Sequence, residues 1–220
     1  VGSSGAGKST LLQLLNTTLT PTQGEMMLLG LNVRQVRSQS RHHLQRQVGM
    51  IYQQFHLVES LKVIHNVNAG HLGRWSLWKA LVSLLFPLEV ATARQALVQV
   101  GIPEKLFART DTLSGGQQQR VAIARVLVQD PVVILADEPI ASLDPTLSQE
   151  VMELLCQLCD EKGRTLVVSL HDVQLARRYC DRMIGLRQGQ ILFDVPSDRV
   201  TDAMMTHLYQ LSDGSDEMLR

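Results

Sequence analysis

The chain alternates between unbroken apolar runs and stretches in which apolar residues recur every three or four positions. Val132 to Ala136 is a continuous apolar run, as a strand covered on both faces requires, and Thr165 to Ser169 reads the same way. Val48 to Tyr52 and Glu25 to Leu29 read as short strands. Helical spacing runs through Leu11 to Leu15, Leu77 to Leu85, Ala91 to Val100, Gln118 to Gln129 and Thr146 to Lys162, with another helix ending near Cys180. Thr20 to Gly24 and Gly101-Ile102-Pro103 interrupt these patterns. Met183 to Leu186 and Ile191 to Phe193 flank Gln188-Gly189, the signature of a hairpin. The tail after Ser212 is polar and reads as mobile. Strands alternating with helices, plus a mainly helical block, predict an α/β protein with a mostly parallel sheet. The core then spans residues 1–59 and 131–220, and a helical subdomain is inserted at 60–130.

The first ten residues carry the clearest chemistry. Gly2-Ser3-Ser4-Gly5-Ala6-Gly7-Lys8-Ser9 has the spacing G-x-x-x-x-G-K-[ST], and Thr10 leads into an apolar helix. Glycines let the backbone turn tightly and bring N–H groups close to phosphate oxygens. A helix starting near Lys8 adds its positive dipole end. Lys8 suits the β- and γ-phosphates, and the Ser9 hydroxyl suits Mg²⁺. The expected fold is thus a P-loop NTPase. Such a loop follows a buried strand, yet only Val1 of that strand is present and there is no initiator Met. The chain therefore reads as a fragment whose N-terminal strands lie outside it.

Val132 to Ala136 runs into Asp137-Glu138. Ligands of open α/β sheets bind at the carboxyl ends of strands. Asp137 is therefore expected to hold Mg²⁺ with Ser9, and Glu138 to orient or deprotonate the attacking water. Ser114-Gly115-Gly116-Gln117 opens a second helix, where exposed N–H groups, a hydroxyl and a helix dipole form another anion site. One nucleotide cannot easily use both helix starts of one compact domain. Two copies arranged head to tail can.

Composition narrows the partners. Lys plus Arg and Asp plus Glu are 21 each, so the net charge is zero, and aromatic residues are 4%. Neither favours nucleic acid as a ligand. The basic stretch Arg34, Arg37, Arg41, His42, His43 and Arg46 reads as a solvated helix face, with contact to an acidic partner as the alternative. Cys156 and Cys159 share a helix face, and two small core residues explain them more simply than zinc. Few cysteines suit a reducing cytoplasm.

With these motifs in place the sequence resembles, over essentially its whole length, the ATP-binding subunits of ABC transporters. Leu113 to Gln117 matches the family signature and Asp137-Glu138 the Walker B pair. Tyr52-Gln53 matches the glutamine loop, so the resemblance gives Gln53 a role at Mg²⁺ or water. Ala141-Ser142-Leu143-Asp144 matches the loop that crosses the dimer interface, which brings Asp144 to the nucleotide. Ser169-Leu170-His171-Asp172 makes His171 the switch histidine near the γ-phosphate. The aromatic residue that stacks on adenine in the family has no counterpart here. Gly70 to Arg74, Leu113 to Arg125, Ile134 to Pro145 and Ile184 to Arg187 are similar to phosphonate importer ATPases in particular. The resemblance implies ATP and Mg²⁺ as cofactors, and a peripheral place on the cytoplasmic face of the bacterial inner membrane. The implied partners are a second ATPase subunit, an integral permease and, through the permease, a solute-binding protein. Trp75, Leu77, Trp78, Leu81, Leu84, Leu85 and Phe86 read mainly as subdomain core, with any exposed remainder docking the permease. The competing readings are an importer ATPase for another solute, a non-transport ABC ATPase in translation or DNA repair, and a non-enzymatic nucleotide-binding module.

Overall fold

A computed structural model describes residues 1–36, 38–141 and 143–210. Arg37, Ser142 and the tail after Ser212 lie outside the described residues. Helix α1 (Lys8–Leu15) is followed by strands β1 (Met27–Leu28) and β2 (Leu31–Asn32), helix α2 (Ser38–Gln47) and strand β3 (Val48–Ile51). Four helices come next: α3 (Val63–Asn68), α4 (Leu77–Leu85), α5 (Val90–Gln99) and α6 (Gly115–Gln129). Then come β4 (Val133–Asp137), α7 (Pro145–Asp160), β5 (Thr165–Ser169), α8 (Val173–Tyr179), β6 (Arg182–Arg187), β7 (Gln190–Pro196) and α9 (Asp202–Tyr209). The chain divides into two compact units, Val1–Ser9 with Leu170–Arg220, and Thr10–Ser169.

The larger unit is built on a parallel sheet in the order β3-β4-β5. Ile51 pairs with Ala136, and Asp137 with Ser169, so the carboxyl ends of all three strands share one edge. Successive side chains of β4 enter opposite cores, as the period-2 geometry of a strand demands. Ile134 and Ala136 join Val63, Leu97, Ile123 and Leu155. Leu135 joins Leu12, Leu44 and Met50 on the other face. That explains the unbroken apolar run. Helix α7 starts at Asp144, whose carboxylate accepts from the Leu147 N–H, with Pro145 in the first turn, where its missing N–H is no loss. Cys159 is buried on this helix, and burial pushes its thiol up to about 11. The core reading of the cysteines is therefore right for Cys159, while Cys156 is half-buried.

Two expectations need correction. The strand expected over Glu25 to Leu29 shrinks to Met27–Leu28, because Leu29 (φ 48°) and Gly30 (φ 79°) both turn left-handed and fold the chain back into β2. Two left-handed central residues are what a tight two-residue hairpin requires. The second correction concerns α4. Its apolar residues are not core: Leu77 is 85% exposed, Trp78 76% and Leu85 78%, with Leu81, Leu84 and Phe86 also exposed. The buried residue of this helix is Ser83. Its hydroxyl bonds to Ala80 O, and its carbonyl pairs with the His65 ring. The polar face thus points inward and the apolar face outward. Among the described residues no single helix is long and apolar enough to cross a membrane, though α4 and α5, bent by 76°, reach that length and composition as a pair.

The basic stretch meets its expectation in part: Arg34 is exposed and Arg41 half-buried. In α2, His42, His43 and Arg46 are exposed while Leu44 is buried.

The smaller unit contains the expected hairpin, β6 paired antiparallel with β7 across Gln188-Gly189. Helix α9, unread in the sequence, starts at Thr201, whose hydroxyl caps the Met204 N–H.

Gly70 shows how closely the helical elements pack. A Cβ at Gly70 would lie 2.3 Å from Arg125 O and 2.9 Å from Gln129 N, both in α6. Gly70→Ala should therefore destabilise the fold by about 1–3 kcal/mol, the usual range for overpacking. Urea unfolding followed by circular dichroism measures it, and unchanged stability would mean that this backbone contact yields freely.

Candidate active site

In the smaller unit the loop Val1–Ser9 is held by β6. Val1 N donates to Ile184 O at 2.8 Å, and Leu186 N donates to Val1 O at 2.9 Å. Val1 is thereby bonded to the residues on either side of Gly185, the pattern of a parallel pair. Gly2 has φ 152°, and a Cβ there would lie 2.2 Å from Leu186 O, so no larger residue fits. Burial pushes the Tyr209 phenol of α9 up, and the Gly2 backbone opposes that push. Further along, Ala6 O accepts from Gly189 N at 2.9 Å. Lys8 is 7% exposed, and its Nζ donates to Gly2 O at 2.9 Å and Ser3 O at 3.0 Å. Ser3, Ser4, Gly5, Ser9 and Thr10 are exposed, while Gly7 is half-buried. His171 is exposed and belongs to the same compact unit as the loop. It precedes Asp172, whose carboxylate caps the Gln174 and Leu175 N–H groups of α8.

In the larger unit the sheet edge collects the other expected residues. Asp137 ends β4, Glu138 follows, and Gln53 lies two residues past the end of the adjacent β3. Ser169, opposite Asp137 in the ladder, joins the two carboxylate residues. Its hydroxyl donates to Asp137 Oδ1 at 2.8 Å and accepts from the Glu138 N–H at 2.9 Å. Glu138 has φ 47°, a left-handed conformation that a non-glycine residue adopts only when its surroundings hold it there. Gln53 is exposed and opens a turn in which Phe55 (φ 56°) and His56 (φ 47°) are also left-handed. Arg125 of α6 pins that turn, donating to Phe55 O and His56 O at 2.7 Å each.

The second expected anion site begins α6. Ser114 and Gln117 form a reciprocal capping box, with the Ser114 hydroxyl accepting from Gln117 N at 3.3 Å and Gln117 Oε1 accepting from Ser114 N at 3.2 Å. Gly115 borders open space, with nothing within 4 Å of a Cβ there. Gly116 is different, since a Cβ there would strike Leu147 Cδ2 at 2.5 Å. This glycine lets the start of α6 approach Leu147 in the first turn of α7.

Ser169 and Arg125 were given no role by the sequence. Ser169 ends a recognisable strand, but only the β4–β5 register reveals that it faces Asp137. Arg125 bonds to backbone carbonyls 69 and 70 positions away, which no local pattern encodes. Among the described residues no group of three or more His, Cys, Asp or Glu could hold a metal. The carboxylates of Asp137 and Glu138 are hard oxygen donors, the kind a hard cation takes.

A family model described as ABC transporter matches residues 1–141. The phosphonates import ATP-binding protein PhnC of Thiobacillus denitrificans is 49% identical over 212 residues, covering 96% of this chain and 80% of that protein. A PhnC protein of Halalkalibacterium halodurans is 46% identical over 209 residues, covering 95% of this chain and 81% of that one. Among solved structures, cbiO1 of Clostridium perfringens, part of the ABC transporter complex cbiONQ, superposes with a TM-score of 0.76 at 30% identity. That match covers 90% of this chain and 76% of that one. The ATP-binding cassette MJ0796, in a dimeric post-hydrolysis state bound to ADP and Pi, gives 0.71 at 31% identity and covers 89% and 83%. This chain therefore belongs to the ABC transporter family, as one of its ATP-binding subunits.

Proposed function

We propose that this chain hydrolyses ATP to drive import of phosphonates or related organophosphorus anions. It works as a head-to-tail pair on the cytoplasmic face of the membrane, bound to an integral permease that receives solute from a separate binding protein. The observation that carries the substrate class is the identity of 42–49%, over at least 95% of this chain, with proteins named for phosphonate import. The exposed apolar face of α4 supports the permease contact, since contiguous apolar surface of this kind marks interaction sites.

The chemistry follows from the residues. The loop N–H groups bind phosphate oxygens, and Lys8, now bonded to two loop carbonyls, gains a stronger charge-assisted partner in a phosphate. Ser9, Asp137 and Gln53 would hold Mg²⁺, which when bound offsets charge on the β- and γ-phosphate oxygens. Glu138 orients the attacking water and accepts its proton, and Ser169 keeps the Glu138 backbone in its left-handed conformation. His171 contacts the γ-phosphate region. Ser114, Gly115, Gly116 and Gln117 of the second copy complete the phosphate site, with Asp144 at the interface between copies.

Glu138→Gln keeps the shape of the side chain and removes the base. Single-turnover hydrolysis should fall by about 10²–10⁴, the usual worth of general-base assistance, while Mg-ATP still binds and drives dimerisation. Light scattering with rapid-quench kinetics tests both, and near wild-type hydrolysis would remove Glu138 from the mechanism.

Ser169→Ala leaves the Glu138 N–H without its acceptor. The fold should lose about 1 kcal/mol, the usual net worth of a hydrogen bond, and hydrolysis should fall more than ATP affinity does.

The reconstituted importer should be stimulated by a phosphonate-loaded binding protein. Stimulation by a sugar- or amino-acid-loaded one instead would overturn the substrate class and leave the ATPase standing.

A further inference from the structure

The tip of the β6–β7 hairpin touches the phosphate loop at a point where peptide orientation matters. Gln188 (φ 50°) and Gly189 (φ 77°) are both left-handed, and Arg187 pairs with Gln190 on either side of them. This is a two-residue turn of the kind that closes a tight hairpin. The ladder closes through Arg187 and Gln190, and the Gly189 N–H points elsewhere. It donates to Ala6 O at 2.9 Å. The approach is close: a Cβ on Gly7 would lie 3.5 Å from Gly189 Cα.

The consequence lies in the planarity of the peptide unit. In a trans peptide the carbonyl of one residue and the N–H of the next point in opposite directions. With Ala6 O held toward Gly189, the Gly7 N–H must point away from the hairpin. Without that bond the Ala6–Gly7 peptide is free to turn over, because Gly7 (φ 101°) has the conformational freedom of a glycine. A turned peptide presents a carbonyl, which repels a phosphate, where a donor is needed. The same hairpin arm secures the start of the loop, through Ile184 O and Leu186 N at Val1.

We propose that the Gln188-Gly189 turn is a positioning element of the phosphate site: the Gly189 N–H holds Ala6 O and thereby aims the Gly7 N–H at the phosphates of the nucleotide. The proposal rests on the reading of Val1–Thr10 as the ATP phosphate site. Gly189 itself touches no nucleotide. It acts through Ala6.

The test replaces the Gly189 amide with an ester by semisynthesis of the full chain, which deletes one donor and leaves the shape of the turn intact. Calorimetric titration should show ATP and ADP affinity weakened about three- to tenfold, the usual worth of one hydrogen bond. Affinity for AMP, which lacks the β- and γ-phosphates, should stay within about twofold. Ile191→Val, on an exposed position of the same hairpin outside the turn, should bind all three nucleotides as the unaltered chain does. Equal weakening for ATP and AMP, or none, would overturn the positioning role and leave a contact that only stabilises the fold. Should the ester chain not fold, a chain N-methylated at Gly189, which lacks the same donor, must show the same selective loss, and its absence there overturns the proposal equally. If the unaltered chain binds no ATP, the phosphate-site reading falls and the proposal with it.

Discussion

Burial of β4 on both faces is the constraint from which the larger unit takes its form. Ile134 and Ala136 face one core and Leu135 the other, so the strand can neither slide by one residue nor rotate without exposing apolar side chains. Its parallel pairing with β3 and β5 then fixes where the polar residues emerge. Asp137 leaves the core at the edge where Gln53 and Ser169 also arrive. The Ser169 hydroxyl turns that edge into a defined site, because one oxygen serves both the Asp137 carboxylate and the Glu138 N–H. A left-handed residue at the carboxyl end of a strand is thus held by the neighbouring strand.

The glycines of the anion-binding motifs divide into two kinds. Gly5 and Gly115 border open space, as a position meant for a ligand should. Gly2 and Gly116 are glycine because other protein atoms occupy the place of a side chain, Leu186 O in one case and Leu147 in the other. Motif spacing cannot separate these kinds, since both read simply as G. Ser114 has a local duty that the motif does not show: with Gln117 it completes a capping box that secures the first turn of α6.

Helix α4 breaks the ordinary rule for an amphipathic helix. Its inward contact is made by Ser83 and the His65 ring, while Leu77, Trp78, Leu81, Leu84 and Leu85 face out. Periodicity correctly identified a helix here. It could not tell which face has a partner within the chain, because an apolar stripe looks the same whether it meets its own core or another protein.

Residue type and spacing alone located the glycine-rich turn and helix start at Gly2–Lys8, the carboxylates Asp137 and Glu138 at a strand end, the helix start at Ser114, the strands β4 and β5 and the hairpin at Gln188-Gly189, though β5 is half-buried where the pattern read as buried. Each is a local pattern whose physics acts within a few residues: a helix dipole, a tight turn, an apolar run. Tertiary structure alone decided the rest. It set the register that places Ser169 opposite Asp137, the reach of Arg125 to the Phe55 and His56 carbonyls, the outward face of α4 and the bond from Gly189 to Ala6. Those contacts join residues far apart in the chain, and their geometry exists only after the strands have paired and the helices have packed.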